Sequence, residues 1–141
     1  MGTTSRGDIF KPLAQPDEDA YLVKQYVLHM LVHDVLARDS SRLARSPLKM
    51  AHVYAESLLQ AQQEADNALA QIRRQFRHRG IKVFEEERQT HGVRVHYLCR
   101  GYEHSFYMLR GVLRTEVTGL MKRYLHVDPP PVQEQPASRE D

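Results

Sequence analysis

The sequence holds one cysteine, Cys99, and no tryptophan. A single cysteine excludes an internal disulfide and an all-cysteine zinc site. No secretory signal pattern opens the chain, so the expected compartment is a reducing one, the cytoplasm. Long hydrophobic runs are also missing. The most apolar stretch, residues 21–36, is interrupted by Lys24, His29, His33 and Asp34. A bilayer span needs ~20 predominantly apolar residues, so no membrane association is expected. Neither sign of charge dominates, with 20 Lys and Arg against 18 Asp and Glu. The net charge of +2 taken whole excludes a strongly basic nucleic-acid coat. The G-x-S-x-G, G-x-x-x-x-G-K, G-x-G-x-x-G and H-E-x-x-H patterns are absent. No catalytic residue is assigned on this reading, no cofactor is implied, and a non-enzymatic role is expected.

What is present is one domain's worth of chain, 141 residues. Residues 1–15 show no period and read as a flexible arm. Residues 16–127 read as a single helical domain. Residues 128–141 begin with Asp128 and three prolines, end in acids, and read as a disordered Pro-rich acidic tail. A first helix is expected over about 16–39, opened by Pro16 and three acids that suit the positive end of its dipole. It is apolar nearly all round, which requires neighbours on several sides or a second subunit. A second helix is expected over about 47–79, with Ser46 as N-cap, Pro47 at N1 and Gly80 as C′ residue. At ~1.5 Å per residue it is about 50 Å long, more than so small a bundle needs. Its seam of Ala51, Ala55, Leu58, Gln62, Ala65, Leu69, Ile72 and Phe76 alternates spacings of four and three, a coiled-coil repeat. That seam is read as a dimer interface.

From Ile81 the period falls to two, and a β-hairpin is expected over about 81–100. A turn at Thr90-His91-Gly92, with Gly92 at positive φ, sets Val83 opposite Cys99 and Glu87 opposite Val95. Ile81, Val83, Val95, Tyr97 and Cys99 then share one face. Glu85, Glu86 and Glu87 read as a solvated edge. Gly101 is read as a strand breaker, and a third helix is expected over about 102–125 on the seam Tyr102, Phe106, Leu109, Leu113, Val117, Leu120 and Tyr124. Gly111 and Gly119 inside it read as weak points or close-packing sites. The expected fold is mainly α (α+β): an antiparallel helical bundle with one very long helix and a single β-hairpin inserted before the last helix, order α-α-β-β-α.

Two constellations stand out. His29 and His33 share one face of the first helix, and His52 and Glu56 share one of the second. Antiparallel pairing about a turn near residue 42 sets these four level, a candidate transition-metal site. The bland alternative is a set of polar boundary residues in a chain with 8 histidines. The second is charge segregation. Residues 1–70 carry −2, residues 71–125 carry +7, and the remainder −3. Arg73, Arg74, Arg77, Arg79 and Lys82 cluster where the long helix meets the hairpin. Arg94, Arg100, Arg110 and Arg114 continue from there. The leading expectation is a small interaction or regulatory protein, a helical homodimer whose basic helix end and hairpin dock an acidic protein surface. The alternative is nucleic-acid binding by the same surface, with Tyr97, Tyr102 and Tyr107 as stacking partners.

Overall fold

The computed structural model describes residues 15–127, with side chains from Glu18 onward. The arm assigned to residues 1–15 lies outside the described residues except for Gln15, and the tail at 128–141 lies wholly outside them. Helices α1 (Gln15–Ala44) and α2 (Ala51–Arg79) are followed by strands β1 (Ile81–Gln89), β2 (Gly92–Cys99) and β3 (Tyr102–Leu109), and by helix α3 (Arg110–Tyr124). The fold is therefore mixed α+β, with order α-α-β-β-β-α and one antiparallel sheet of order β1-β2-β3.

Both leading helices are long, 30 and 29 residues, or about 45 Å each by the helical rise. They lie side by side, so the length of α2 is matched by α1 rather than left over. Val23, Val27, Leu28, Val32 and Leu36 of α1 meet Ala61, Ala65, Ile72 and Phe76 of α2 in the core. The sheet adds Ile81, Val95, Tyr97, Cys99 and Met108, and α3 adds Leu113 and Leu120. The nearly all-round apolar α1 thus finds its several neighbours within one chain. A second subunit is not needed to cover it.

The start of α2 differs from expectation. Met50 occupies the N-cap without a side-chain bond, and the helix begins at Ala51. Ser46 instead closes α1, its hydroxyl donating to the Leu43 carbonyl at 2.7 Å. Serine bonds a free carbonyl at one helix end as readily as a free amide at the next. The end of α2 is as read: Gly80 takes φ +68°, and its amide donates to the Phe76 carbonyl.

The expected helix over 102–125 is half strand. Residues 102–109 form β3, and only 110–124 are helical. Cys99 pairs with Tyr102 across a two-residue turn, with Arg100 at φ +51° and Gly101 at +88°. Two successive positive φ values make a turn whose twist matches that of flanking strands. Gly101 therefore reverses the chain instead of launching a helix. The apolar spacings through Tyr102 and Phe106 fit both periods, and β-favouring Tyr and Phe side chains facing a half-buried sheet decide for the strand.

The hairpin register is also corrected. Ile81 pairs with Cys99 and Glu86 with Val95, around a two-residue Thr90-His91 turn, with a register shift at Phe84. At the base the difference from expectation is two residues, which leaves the same side chains inward. Near the tip it is one residue, absorbed by the irregularity at Phe84. Gly92 opens β2 and is not among the positive-φ glycines. Its role is close approach, since a Cβ there would lie 2.1 Å from the Met108 carbonyl oxygen.

Candidate functional site

Helix α3 seats Leu113 and Leu120 on the core and is tied to α1 at two levels. Lys24 Nζ lies 2.6 Å from Glu116 Oε2. Nearer the end of α3, Tyr124 donates its hydroxyl to His29 Nε2 at 2.7 Å, while His29 Nδ1–H donates to the Gln25 carbonyl, also at 2.7 Å. That arrangement needs a neutral imidazole. Burial, aided by the positive charge of Arg123, holds the His29 pKa below its ordinary value against the opposing backbone bond.

Alongside these ties runs a groove of about 1080 Å³ between α1, α3 and the β1–β2 turn. Its walls include Tyr21, Leu28, Leu109, Val112 and Leu120, with Arg110 near one end of α3 and Arg123 near the other. Tyr21 is 62% exposed and Leu109 54%, although both are large and apolar-bodied. Gly111 and Gly119 also line the groove, and a Cβ at either would meet nothing within 4 Å. Neither is a close-packing site within this chain. Gly119 lies inside α3, at a cost of about 1 kcal/mol relative to Ala, whereas Gly111 is the second residue of the helix, in its first turn.

The fold divides the basic residues read as one docking surface. Arg79 and Arg100 turn inward onto Asp19, which is 1% exposed. Arg79 Nη1 donates to Asp19 Oδ1 at 3.1 Å, and Arg100 Nη2 to Oδ2 at 3.3 Å. The Cys99 thiol donates to the same Oδ2 at 2.9 Å. Arg79 also reaches Glu18 at 3.2 Å, and Arg100 bonds the Arg79 carbonyl. This knot joins the start of α1, the end of α2 and the β2–β3 turn. Arg73 lies over the Tyr26 ring and against Met30 Sδ. Arg74 bonds Gln71 along its own helix. Arg94 stacks on Tyr107 across the outer face of the sheet, and Arg110 reaches the Gln89 carbonyl at 3.5 Å. Arg77, Lys82 and Arg114 are exposed, with no hydrogen bond or ion pair among the described residues.

The seam residues Ala51, Ala55, Ala65, Leu69, Ile72 and Phe76 are buried within the single chain. Leu58 and Gln62 are half-buried, and Gln62 lies 3.3 Å from His33 Nδ1. The 3.5-residue repeat is satisfied by α1, so this face is not free for a partner helix. The four expected metal ligands do not converge. His33 Nδ1–H donates to Asp66 Oδ1 at 2.7 Å, and His29 is held by Gln25 and Tyr124. His52 lies ten residues before Gln62 on α2, about 15 Å along the axis, and Glu56 is exposed. The cause is the connection: α1 runs on to Ala44 and α2 starts at Ala51, so the level of pairing is displaced.

Cys99 is inward-facing, as its alternation implies, and burial with the Asp19 carboxylate pushes its thiol up to about 11. A thiol so protonated at neutral pH is a poor nucleophile. The neighbouring histidines of the sheet are engaged elsewhere, His96 with Glu87 and His104 stacked on Tyr97. What the sequence reading missed is the groove itself. Its one visible signal was the pair of glycines, Gly111 in the first turn of α3 and Gly119 within it. Among the described residues, no helix is long and apolar enough to cross a membrane.

No solved structure matches this chain. A protein of Bacillus subtilis (strain 168), described as uncharacterized protein YhjD, is 25% identical over 109 residues, which cover 77% of this chain and 91% of that protein. The family model described as YhjD protein matches residues 14–129, and the chain belongs to that family.

Proposed function

We propose that this is a binding protein rather than an enzyme, and that the groove beside α3 takes an acidic segment of a partner protein. The groove carries the reading. It is wide, floored by apolar side chains, and has an arginine toward each end of its helix, while its one carboxylate, Glu116, is already paired with Lys24. Apolar area with a few placed charges is how a groove holds a segment in one register. The basic elbow supports docking less well, because Arg79 and Arg100 are committed to Asp19.

The test places a photo-crosslinking residue at Val112, or at Arg77 as control, in the native cell. An acidic peptide captured from Val112 is then synthesised and titrated against the purified protein. Arg110→Glu with Arg123→Glu should weaken its binding at least tenfold. Capture of RNA or DNA instead, or a peptide insensitive to both charge reversals, contradicts the proposal.

A second reading concerns self-association, and a separate observation favours it. Leu48, Met50, Val53, Tyr54 and Leu59 are all about half exposed around the α1–α2 connection, far from the ties to α3. Exposed apolar residues grouped toward one end of a molecule are candidates for an association surface. The homodimer is therefore proposed through this tip and not through the α2 seam. Sedimentation at micromolar concentration should show a dimer that Tyr54→Glu with Leu59→Glu dissociates. A monomer in both cases removes this reading.

A further inference from the structure

A second cluster of chemistry-bearing side chains lies on the outer face of the sheet. The shift between Val83 and Glu85 sets Glu85 directly across from His96. Period-two alternation brings Glu87 to that same face. One ligand atom from each of Glu85, Glu87 and His96 lies within 4.8 Å of the others. His96 Nε2 is already 2.9 Å from Glu87 Oε1. The Phe84 ring lies 5.9 Å from the imidazole, centroid to centroid, and flanks one side of it.

The charges around this cluster are not balanced locally. Arg94 is the cross-strand partner of Glu87, yet its guanidinium sits over Tyr107, 5.3 Å from the ring centroid. Glu85 has no ion pair among the described residues. Among the described residues, the one ion-pair partner of these two carboxylates is the His96 imidazole, which lies against Glu87. On β3, Ser105 is the register partner of His96, which puts a hydroxyl-bearing residue in the same row.

We propose that Glu85, Glu87 and His96 form a divalent transition-metal site that bridges β1 and β2. One imidazole and two carboxylates suit Zn²⁺ or Mn²⁺, with remaining positions open to water. The geometry needs little change. Ligand atoms about 2.1 Å from a tetrahedral ion lie roughly 3.4 Å apart. The His96–Glu87 pair opens by about half an ångström, and a rotation of the exposed Glu85 side chain closes the rest. Ligation through His96 Nε2 takes the place of its present contact with Glu87 Oε1. The site is independent of the groove, which lies on the helical side of the sheet.

The test uses the full chain, purified without a metal-affinity tag and stripped by chelator. It is titrated with Zn²⁺, Mn²⁺ and Mg²⁺ by calorimetry, and with Co²⁺ by visible absorption. The expected result is one equivalent of Zn²⁺ per chain, a clear preference over Mg²⁺ and a rise in Tm of several degrees. Glu87→Gln and His96→Gln should each weaken Zn²⁺ binding at least tenfold. His52→Gln, which removes an exposed histidine elsewhere, should leave it unchanged. Circular dichroism on each variant separates lost ligation from lost fold, and Glu85→Gln provides a further exposed substitution. Absence of stoichiometric binding, or wild-type affinity in folded Glu87→Gln and His96→Gln, overturns the proposal.

Discussion

Asp19 shows how much one residue sets here. Its carboxylate is buried, and it accepts from two arginines and a thiol 60 to 81 positions away in the chain. A buried carboxylate persists only when its oxygens are satisfied in this way. Asp19→Asn keeps the shape and removes the charge, and should lower stability by about 3 kcal/mol in urea unfolding. The loss stays at the low end for a buried pair because Arg100 can turn to solvent. On sequence alone, Asp19 reads as an acid complementing a helix dipole. Local spacing carries no sign of partners so distant, so its burial was not legible there. Cys99 was legible, because alternation along a strand is local. His29 gives a pH-dependent counterpart. Unfolded, it takes up a proton near 6.5; folded, only at lower pH. The unfolded state binds more protons in that window, so stability falls as pH drops through 6.5. Substituting His29 with Gln should flatten this dependence in urea melts between pH 7 and 5.

At the scale of elements, the informative failure is residues 102–109. A four-three spacing and a two-residue spacing both pass through Tyr102 and Phe106, so periodicity alone does not separate helix from strand. The Arg100-Gly101 pair carried the missing information, since two positive φ values specify a hairpin. Gly92 tests the pairing of β2 with β3. Gly92→Ala should cost about 2 kcal/mol or more, because its Cβ would collide with the Met108 carbonyl. An isolated β1–β2 hairpin followed by a helix would tolerate it. The glycines of α3 predict the opposite sign. Gly119→Ala, inside α3 and open to free space, should stabilise the fold by about 0.5–1 kcal/mol in thermal or urea unfolding, and Gly111→Ala, in the first turn, by less. The boundaries of α2 show the same division. Gly80 with a basic last turn was readable, whereas Ser46-Pro47 resembles a helix start while its hydroxyl serves the helix before it.

For the molecule as a whole, the +7 segment of the sequence is real, but the fold does not present it as one surface. Two of its arginines are held on the buried Asp19, two lie against aromatic rings, and Arg110 and Arg123 border the groove. Net charge along a chain is one-dimensional, and only packing determines which charges face a partner. The 3.5-residue seam suggests a dimer interface, whereas in the fold most of its residues are buried within the chain, beside its own α1. The central claim is that binding belongs to the groove beside α3 and not to the basic elbow. The direct measurement is the affinity of the acidic segment captured at Val112, compared between two variants that retain the fold. Gly111→Leu with Gly119→Leu fills the groove and should weaken binding at least tenfold. Arg73→Glu with Arg74→Glu and Arg77→Glu reverses the elbow and should leave affinity within a factor of two. The reverse pattern, with loss at the elbow and none at the groove, would contradict the account.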